Sequence, residues 1–138
     1  MRLHRDAKAE LIKHVPLFSN CSKKELRKLA SIADEIDFHE GKVLIREGRP
    51  GREFFVLVDG RVDVSRKGNS IDTMQSGDFF GEVALVSDAP RNATITAITP
   101  IVVLVITERD FRTLLGDSPE IQRKVLVALA DRLAPEAL

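Results

Sequence analysis

Cysteine is almost absent from this 138-residue chain, and tryptophan and tyrosine are absent altogether. Cys21 is the only cysteine, which excludes an internal disulfide and a multi-cysteine metal or cluster site. We therefore expect a free surface or half-buried thiol in a reducing cytoplasm. His4, His14 and His39 have no metal-binding spacing, so we predict structural histidines and no metal site.

The chain also lacks an excess of either charge and any long hydrophobic run. Its 21 basic and 21 acidic residues give a formal net charge of zero, which gives nucleic-acid binding no support. The first residues contain no apolar segment typical of a secretory signal. The longest aliphatic run, residues 101–106, is far too short to cross a bilayer. We predict a cytoplasmic protein without a nucleic-acid or membrane partner.

Signatures of catalysis are missing as well. The sequence has no Walker-type phosphate loop, no Gly-x-Ser-x-Gly elbow and no Cys/His pair near a predicted strand end. We predict no enzymatic activity, no catalytic residues and no cofactor.

The composition is that of an ordinary soluble globular domain. Hydrophobic residues make up 43% of the chain and charged residues 30%. A chain of 138 residues is long enough to bury one core, so we expect a single domain over residues 1–138. The patterns follow the order helices, strands, helices.

Two short helices are predicted near the N-terminus. Leu11, Ile12 and Val15 would share one face of a helix that Pro16 ends. The segment 22–25 has capping-box spacing at the start of a second helix. The buried side of this second helix is predicted to comprise Leu26, Leu29, Ala30 and Ala33.

Period-two patterns and turn signals dominate residues 36–106. Short runs rich in Val, Ile and Phe alternate with turns, which favours a sandwich or barrel of many strands. The predicted turns are Glu40-Gly41, Pro50-Gly51, Asp59-Gly60, Gly68-Asn69 and Ser76-Gly77.

Helical patterns return after residue 107. A helix from Asp110 is expected to stop at Gly116, and Ser118 with Pro119 predicts the start of another helix that runs to about Leu133. Its segment 125–130 is apolar for more than a turn and needs cover on more than one side. The cover could be a lid contact, burial in its own domain, or a homodimer partner through Val125, Leu126 and Leu129.

The most informative feature is the pair of segments 77–85 and 90–94. They place one carboxylate, Glu82, and one guanidinium, Arg91, nine positions apart around a stretch rich in small residues. Arg91 can give a phosphate a two-pronged, charge-assisted hydrogen bond, and Glu82 can accept from a hydroxyl. An alternative is that the two side chains form only an ion pair that braces a loop.

Backbone groups complete the chemistry of these segments. Gly81, Val83 and Ala84 lie where a short helix would begin, so their N–H groups can point at an anion. Pro90 narrows the directions in which the next side chain can point. Together these features predict a site for a small anionic ligand that carries hydroxyl groups.

In this order and spacing, the segments resemble the cyclic nucleotide-binding domain family over about residues 11–133. The resemblance rests on Val15-Pro16-Leu17-Phe18, on residues 54–64, on Gly77-Asp78-Phe79-Phe80-Gly81-Glu82 and on Pro90-Arg91-Asn92-Ala93-Thr94. It implies a mainly β jelly-roll barrel with flanking helices. The N-terminal helices would cover about residues 7–33, the barrel 34–107, and a C-terminal helical lid 108–133.

The resemblance also implies residue roles. Glu82 would hold the ribose, Arg91 the phosphate, and the backbone of Ala84, Asn92 and Ala93 would complete the pocket with Gly81 and Val83. Three barrel positions would face the ligand: Val64, Ile71 and Met74.

The implied function is a regulatory sensor of a cyclic mononucleotide, cAMP first and cGMP second, with an effector protein or domain as partner. Asn92 stands where some relatives carry a hydroxyl associated with guanine, so the base stays open. Hydroxyl positions of some relatives would fall at Glu136 and Ala137, which carry none, so Leu129 or Leu133 would cover the purine and Arg132 could reach it.

Two other functions remain open. The chain could be a ligand-free jelly-roll domain for interaction or dimerisation. It could also be a fragment of a larger cAMP-regulated transcription factor, channel or enzyme, since the five residues after Leu133 hold no DNA-reading domain.

Overall fold

The computed structural model describes residues 2–133, except for the side chains of residues 132 and 133. The central part of the chain forms two antiparallel sheets. The described strands are β1 Asp34–Phe38, β2 Val43–Ile45, β3 Glu53–Asp59, β4 Val62–Arg66, β5 Asn69–Met74, β6 Phe79–Phe80, β7 Thr94–Ala97 and β8 Ile101–Thr107. One sheet has the order β1-β8-β3-β6 and the other the order β2-β7-β4-β5. Eight strands in two four-stranded sheets are the jelly-roll arrangement. The predicted mainly β fold with flanking helices is confirmed.

Residues 33–108 form one compact unit. The inner faces of its two sheets form the hydrophobic core of this unit. Alternation along β4 buries Val62 and Val64. Their partners on the neighbouring strand β7, Ala97 and Ile95, are buried as well. Phe55 on β3 stacks on Phe80 of β6 with ring centroids 5.2 Å apart. Burial of these side chains fixes strand register, because a slip of one residue would turn each one to the outer face.

Two of the predicted turns lie elsewhere. The β4–β5 hairpin turns at Lys67-Gly68, one position before the predicted pair, and both residues have positive φ, 51° and 81°. This is the type I′ geometry, whose twist matches that of the flanking strands. Pro50-Gly51 is not a turn: the chain turns at residues 47–48, and Pro50 forms a β-bridge with Pro90.

The second unit comprises the described residues up to Ile32 and from Arg109. Its N-terminal part contains α1 Arg5–Ile12, a 3₁₀ helix Pro16–Phe18 and α2 Lys23–Ser31. The expectation that Pro16 ends the first helix is wrong. Helix α1 ends at Ile12, and Pro16 instead opens the 3₁₀ helix, where its fixed φ suits the first position and its missing N–H costs nothing.

The predicted capping box at the start of α2 is confirmed. The Glu25 N–H donates to Ser22 Oγ at 3.2 Å, and the Ser22 N–H donates to Glu25 Oε1 at 2.8 Å. The N–H groups of Ser22 and Glu25, which have no partner within the helix backbone, are therefore both hydrogen-bonded within four residues of sequence.

The C-terminal part contains α3 Glu108–Asp117 and α4 Pro119–Leu133. Gly116 does not stop α3 but lies inside it, and Ser118 is the break before Pro119. A glycine in a helix interior destabilises the helix by only about 1 kcal/mol relative to alanine, so it does not have to end the helix. None of the helices within residues 2–133 has the length and apolar character needed to cross a bilayer.

Helix α4 is apolar on two sides but buried on one. Ile121, Val125 and Ala128, spaced four and three residues apart, are buried, whereas Leu126 is 60% exposed. The prediction that Val125 contributes to a dimer contact is therefore wrong, because only 3% of this residue is exposed. Leu129 is half-buried, and a homodimer through Leu126 and Leu129 stays a prediction.

An ion pair joins α2 to α4. Lys124 Nζ lies 2.5 Å from Glu25 Oε1, the oxygen that also accepts the Ser22 N–H. The Lys124 hydrogen bond lowers the pKa of Glu25 below its usual 4.5, and the Glu25 carboxylate raises the pKa of Lys124 above its usual 10.5. Both shifts favour the charged forms in the folded state.

We expect this pair to stabilise the fold within a defined pH window. A lowered carboxyl pKa contributes fully above pH 4.5 and is lost as the pH falls through the folded-state value; a raised ammonium pKa contributes below pH 10.5 and is lost as the pH rises through its own. Urea unfolding of Lys124→Gln should show a deficit against the wild type at neutral pH that shrinks well below pH 4.5. Lys28→Gln, an exposed change on α2, is the control, and a deficit independent of pH would contradict the assignment.

Candidate functional site

A cavity of about 510 Å³ opens in the sheet unit. Its wall combines strand residues from β2, β4, β5 and β7 with the two segments that the sequence singled out. The lining residues are Ile45, Val64, Arg66, Met74, Phe80, Gly81, Val83, Ala84, Ala89, Pro90, Arg91, Asn92, Ala93 and Ile95. One cavity therefore has an apolar side, a backbone-rich side and a cationic side.

The strands supply the apolar side. Val64 and Ile95 face each other across the β4–β7 pair, and both are buried. Ile45 and Met74 extend this surface at either edge of the same sheet. Such a surface suits a flat ring that is largely apolar on its faces.

Arg91 supplies charge to one side of the cavity. Its Nη2 donates to the Glu53 carbonyl at 2.6 Å, and its Nη1 donates to the Gly81 carbonyl at 3.3 Å. Both of these acceptors are backbone oxygens. A guanidinium has five N–H donors, so two hydrogen bonds leave donors for a ligand.

The backbone of Arg91 is held from the opposite loop. The Gly48 N–H donates to the Arg91 carbonyl at 2.8 Å, and the Arg91 N–H donates to the Arg49 carbonyl at 2.9 Å. The Pro50–Pro90 bridge continues this short ladder. The side chain therefore projects from a fixed backbone rather than from a free loop.

Two glycines make room for the guanidinium. A Cβ added to Gly51 would lie 2.5 Å from Arg91 Nε and 2.6 Å from Cζ. A Cβ added to Gly81 would lie 2.7 Å from Arg91 Nη1, and Gly81 also has φ of +83°, a left-handed conformation that other residues rarely adopt. Arg91 occupies its place because neither neighbour has a side chain.

The 3₁₀ helix Glu82–Leu85 begins directly after Gly81. The Ala84 N–H, expected to point at an anion, donates to the Gly81 carbonyl at 3.1 Å in this structure. The same carbonyl accepts from Arg91, so the turn and the guanidinium share one acceptor. Val83 is exposed and lines the mouth of the cavity.

Burial changes the electrostatics of Arg91. Desolvation lowers the pKa of its guanidinium, and the nearby Glu53 carboxylate opposes that shift. Arginine nonetheless stays protonated at neutral pH. A partly desolvated cation interacts more strongly with an anion than a fully hydrated one does.

Most predicted site residues are brought together, and two are not. The cavity wall includes Gly81, Val83, Ala84, Arg91, Asn92, Ala93, Val64 and Met74. Glu82 lies between two lining residues but is not itself in the wall; it is half-buried, and its Oε2 is shielded from solvent. Its predicted role stays a prediction.

Ile71 is the other residue outside the wall, and it is 51% exposed. Val64 pairs with Asp72 and Ser65 with Ser70, so Ile71 is the extra residue of a β-bulge. The resemblance that placed Ile71 at the ligand did not anticipate this bulge.

The sequence reasoning missed Arg66. This residue lines the cavity, and its Nε donates to the Asn92 carbonyl at 2.9 Å. The available signal was its spacing, two positions after Val64 on the same strand face. The side chains of Arg132 and Leu133, which were expected near the purine, lie outside what the structure describes, as do positions 136 and 137.

Comparisons with known proteins identify the family of the chain. The model of the cyclic nucleotide-binding domain matches residues 35–118, which is more than half of the chain. The chain therefore belongs to the cyclic nucleotide-binding domain family, a family of regulatory binding domains. The predicted resemblance is confirmed.

The chain is also similar to individual curated proteins. A cAMP-dependent protein kinase regulatory subunit from Debaryomyces hansenii is 34% identical over 113 residues, which is 81% of this chain and 25% of that protein. The chain thus spans about a quarter of the length of the curated relatives it matches.

Solved structures match the fold closely. The N-terminal domain of a transcriptional regulator from Streptomyces coelicolor A3(2) has a TM-score of 0.85 and 27% identity, covering 91% of this chain and 94% of that one. The cAMP-bound PfPKA-R structure has a TM-score of 0.69 and 30% identity, covering 94% of this chain and 47% of that one.

Gly51→Ala tests whether the space under Arg91 matters. The added Cβ would push the guanidinium aside, because a side-chain end yields more readily than backbone. We expect a loss of roughly 10-fold to 150-fold in cyclic-nucleotide affinity, equivalent to one charge-assisted hydrogen bond of about 1.5–3 kcal/mol. Calorimetric titration measures the affinity.

Gly116→Ala is the matched control, since nothing lies within 4 Å of a Cβ at that position in α3. It should leave affinity unchanged. If Gly51→Ala binds as tightly as this control, the close approach of Gly51 to Arg91 has no role in the site.

Proposed function

We propose that this domain is a cAMP sensor, and one observation carries the proposal. A single cavity holds Arg91, fixed by two backbone carbonyls, opposite an apolar strand surface. A cyclic nucleotide offers the complementary pair, a singly charged phosphate and a purine ring.

Arg91 would bind the phosphate. Its guanidinium keeps N–H donors beyond those given to Glu53 and Gly81, and its fork matches two phosphate oxygens. The backbone N–H groups of Asn92 and Ala93, which line the same wall, would add neutral donors. Partial burial of Arg91 strengthens the attraction.

Glu82 would accept the ribose 2′-hydroxyl. It sits between Gly81 and Val83, which both line the cavity, so its backbone is adjacent to the cavity wall. A carboxylate is a strong acceptor for a hydroxyl, and that bond would discriminate against a ribose lacking it.

The purine would lie on Val64, Met74 and Ile95. An apolar surface does not by itself separate adenine from guanine. We favour cAMP because the relatives named above are cAMP-dependent regulatory subunits and a cAMP-bound structure. Asn92 is exposed, which is compatible with a role limited to its backbone groups.

The domain would act within a regulatory protein that uses its C-terminal helices as the output. Nucleotide binding could move α3 and α4 only to the extent that the nucleotide binds one arrangement more tightly than the other. An effector protein or a further domain would then sense the change. A ligand-free interaction domain is the competing function.

Calorimetric titration with cAMP and cGMP tests the proposal directly. We expect binding of both with a preference for cAMP, and Arg91→Ala should lose about 2–4 kcal/mol of binding free energy, since one side of a charged pair is removed. Arg91→Lys should recover only part of it, because lysine lacks the fork.

Arg61→Ala, an exposed change outside the cavity wall, is the control for lost charge. If the wild-type chain gives no heat and no thermal shift with either nucleotide, the ligand-free function is favoured. If the chain binds cAMP but Arg91→Ala binds equally well, the phosphate lies elsewhere.

A second experiment examines the ribose contact with cAMP and 2′-deoxy-cAMP. Glu82→Ala should weaken cAMP binding by about 1.5–3 kcal/mol, the value of a hydrogen bond to a charged group. The same substitution should change 2′-deoxy-cAMP binding far less, because that ligand lacks the hydroxyl. Equal losses for both nucleotides would show that Glu82 does not act through the 2′ position.

A further inference from the structure

The cavity wall carries more positive charge than a cyclic phosphate needs. It contains two arginines, Arg66 and Arg91, and no aspartate, glutamate, lysine or histidine. A cyclic nucleotide phosphate has a single negative charge. The second guanidinium is therefore either incidental or a further contact for the ligand.

Arg66 interrupts the apolar pattern of its strand face. The inner face of β4 reads Val62, Val64, Arg66, so an apolar side chain would continue the pattern. The first two are buried and Arg66 is exposed at the cavity, where its charge stays hydrated in the absence of ligand. Its position is thus on the ligand side of the strand.

One hydrogen bond holds the side chain in place. Arg66 Nε donates to the Asn92 carbonyl at 2.9 Å, and within residues 2–133 this is its only hydrogen bond. The terminal nitrogens therefore keep their N–H donors. Asn92 follows Arg91 directly, so Arg66 is anchored beside the proposed phosphate contact rather than on the apolar surface.

We propose that Arg66 is a second phosphate contact, reaching one of the two exocyclic oxygens from the β4 side. The inference rests on the proposed function. The Asn92 carbonyl orients the guanidinium, which lowers the cost of ordering it when the anion arrives. The phosphate in turn screens the repulsion between two arginines in one cavity.

Two substitutions separate charge from structure. Arg66→Gln keeps an N–H that can reach the Asn92 carbonyl but removes the charge, and we expect about tenfold weaker cAMP binding at low ionic strength. Arg66→Lys should retain most of the affinity, since it keeps the charge. Arg61→Gln, exposed and outside the wall, is the control and should bind like the wild type.

Salt dependence provides a readout that a purely structural role would not change. If Arg66 interacts with the phosphate charge, the affinity of Arg66→Gln should fall less steeply with added salt than that of the wild type. The melting temperature without ligand should be the same for both proteins.

The two phosphorothioate diastereomers of cAMP, each with sulfur in place of one exocyclic oxygen, locate the contact. The wild type should prefer one diastereomer, and Arg66→Gln should change that preference. An equal loss for both diastereomers would overturn the proposal in favour of a guanidinium stacked on the purine.

Failure of this inference is distinguishable from failure of the proposed function. If the wild type binds cAMP and Arg66→Gln matches it in affinity and salt slope, only the Arg66 contact is overturned. If the wild type binds neither cAMP nor cGMP, both are overturned.

Discussion

The site depends on one arrangement, a guanidinium held between two backbone carbonyls. Arg91 donates to Glu53 and Gly81 and fits only because Gly51 and Gly81 present no Cβ. The cost of partly desolvating this cation is offset by charge-assisted hydrogen bonds to the carbonyls. Because strand β3, the turn at Gly81 and the Pro90 loop meet at one side chain, a change in any of them reaches the others.

The cavity combines two kinds of surface that come from different parts of the fold. The β2-β7-β4-β5 sheet provides a rigid apolar wall, since the same residues that pack the core also extend toward the cavity. The loop after Pro90 provides the Arg91 guanidinium, whereas Arg66 comes from the end of β4. Functional groups on loops can be precise when the scaffold fixes the loop backbone, as the hydrogen bonds from Gly48 and Arg49 do for Arg91.

Three predictions made from the sequence differ from the structure. Pro50-Gly51 is typical of a turn, yet the structure uses the glycine to admit a side chain from a segment forty residues away. The family resemblance placed Ile71 at the ligand, but Ile71 is the extra residue of a β-bulge and is 51% exposed. Gly116 is a common helix stop, although α3 continues to Asp117. At Gly51 a local preference for a turn is overridden by a tertiary contact with Arg91.

The order of elements, the capping box at Ser22, the family and a common site for Arg91 and the segment rich in small residues could all be predicted from the sequence, because they depend on residue type and short spacing. Only the tertiary structure revealed Arg66 beside Asn92, the ion pair between Glu25 and Lys124, and the placement of Glu82 outside the cavity wall. These contacts depend on which distant strands and helices become neighbours. The spacing of residues along the chain does not specify how far apart they lie in the folded protein.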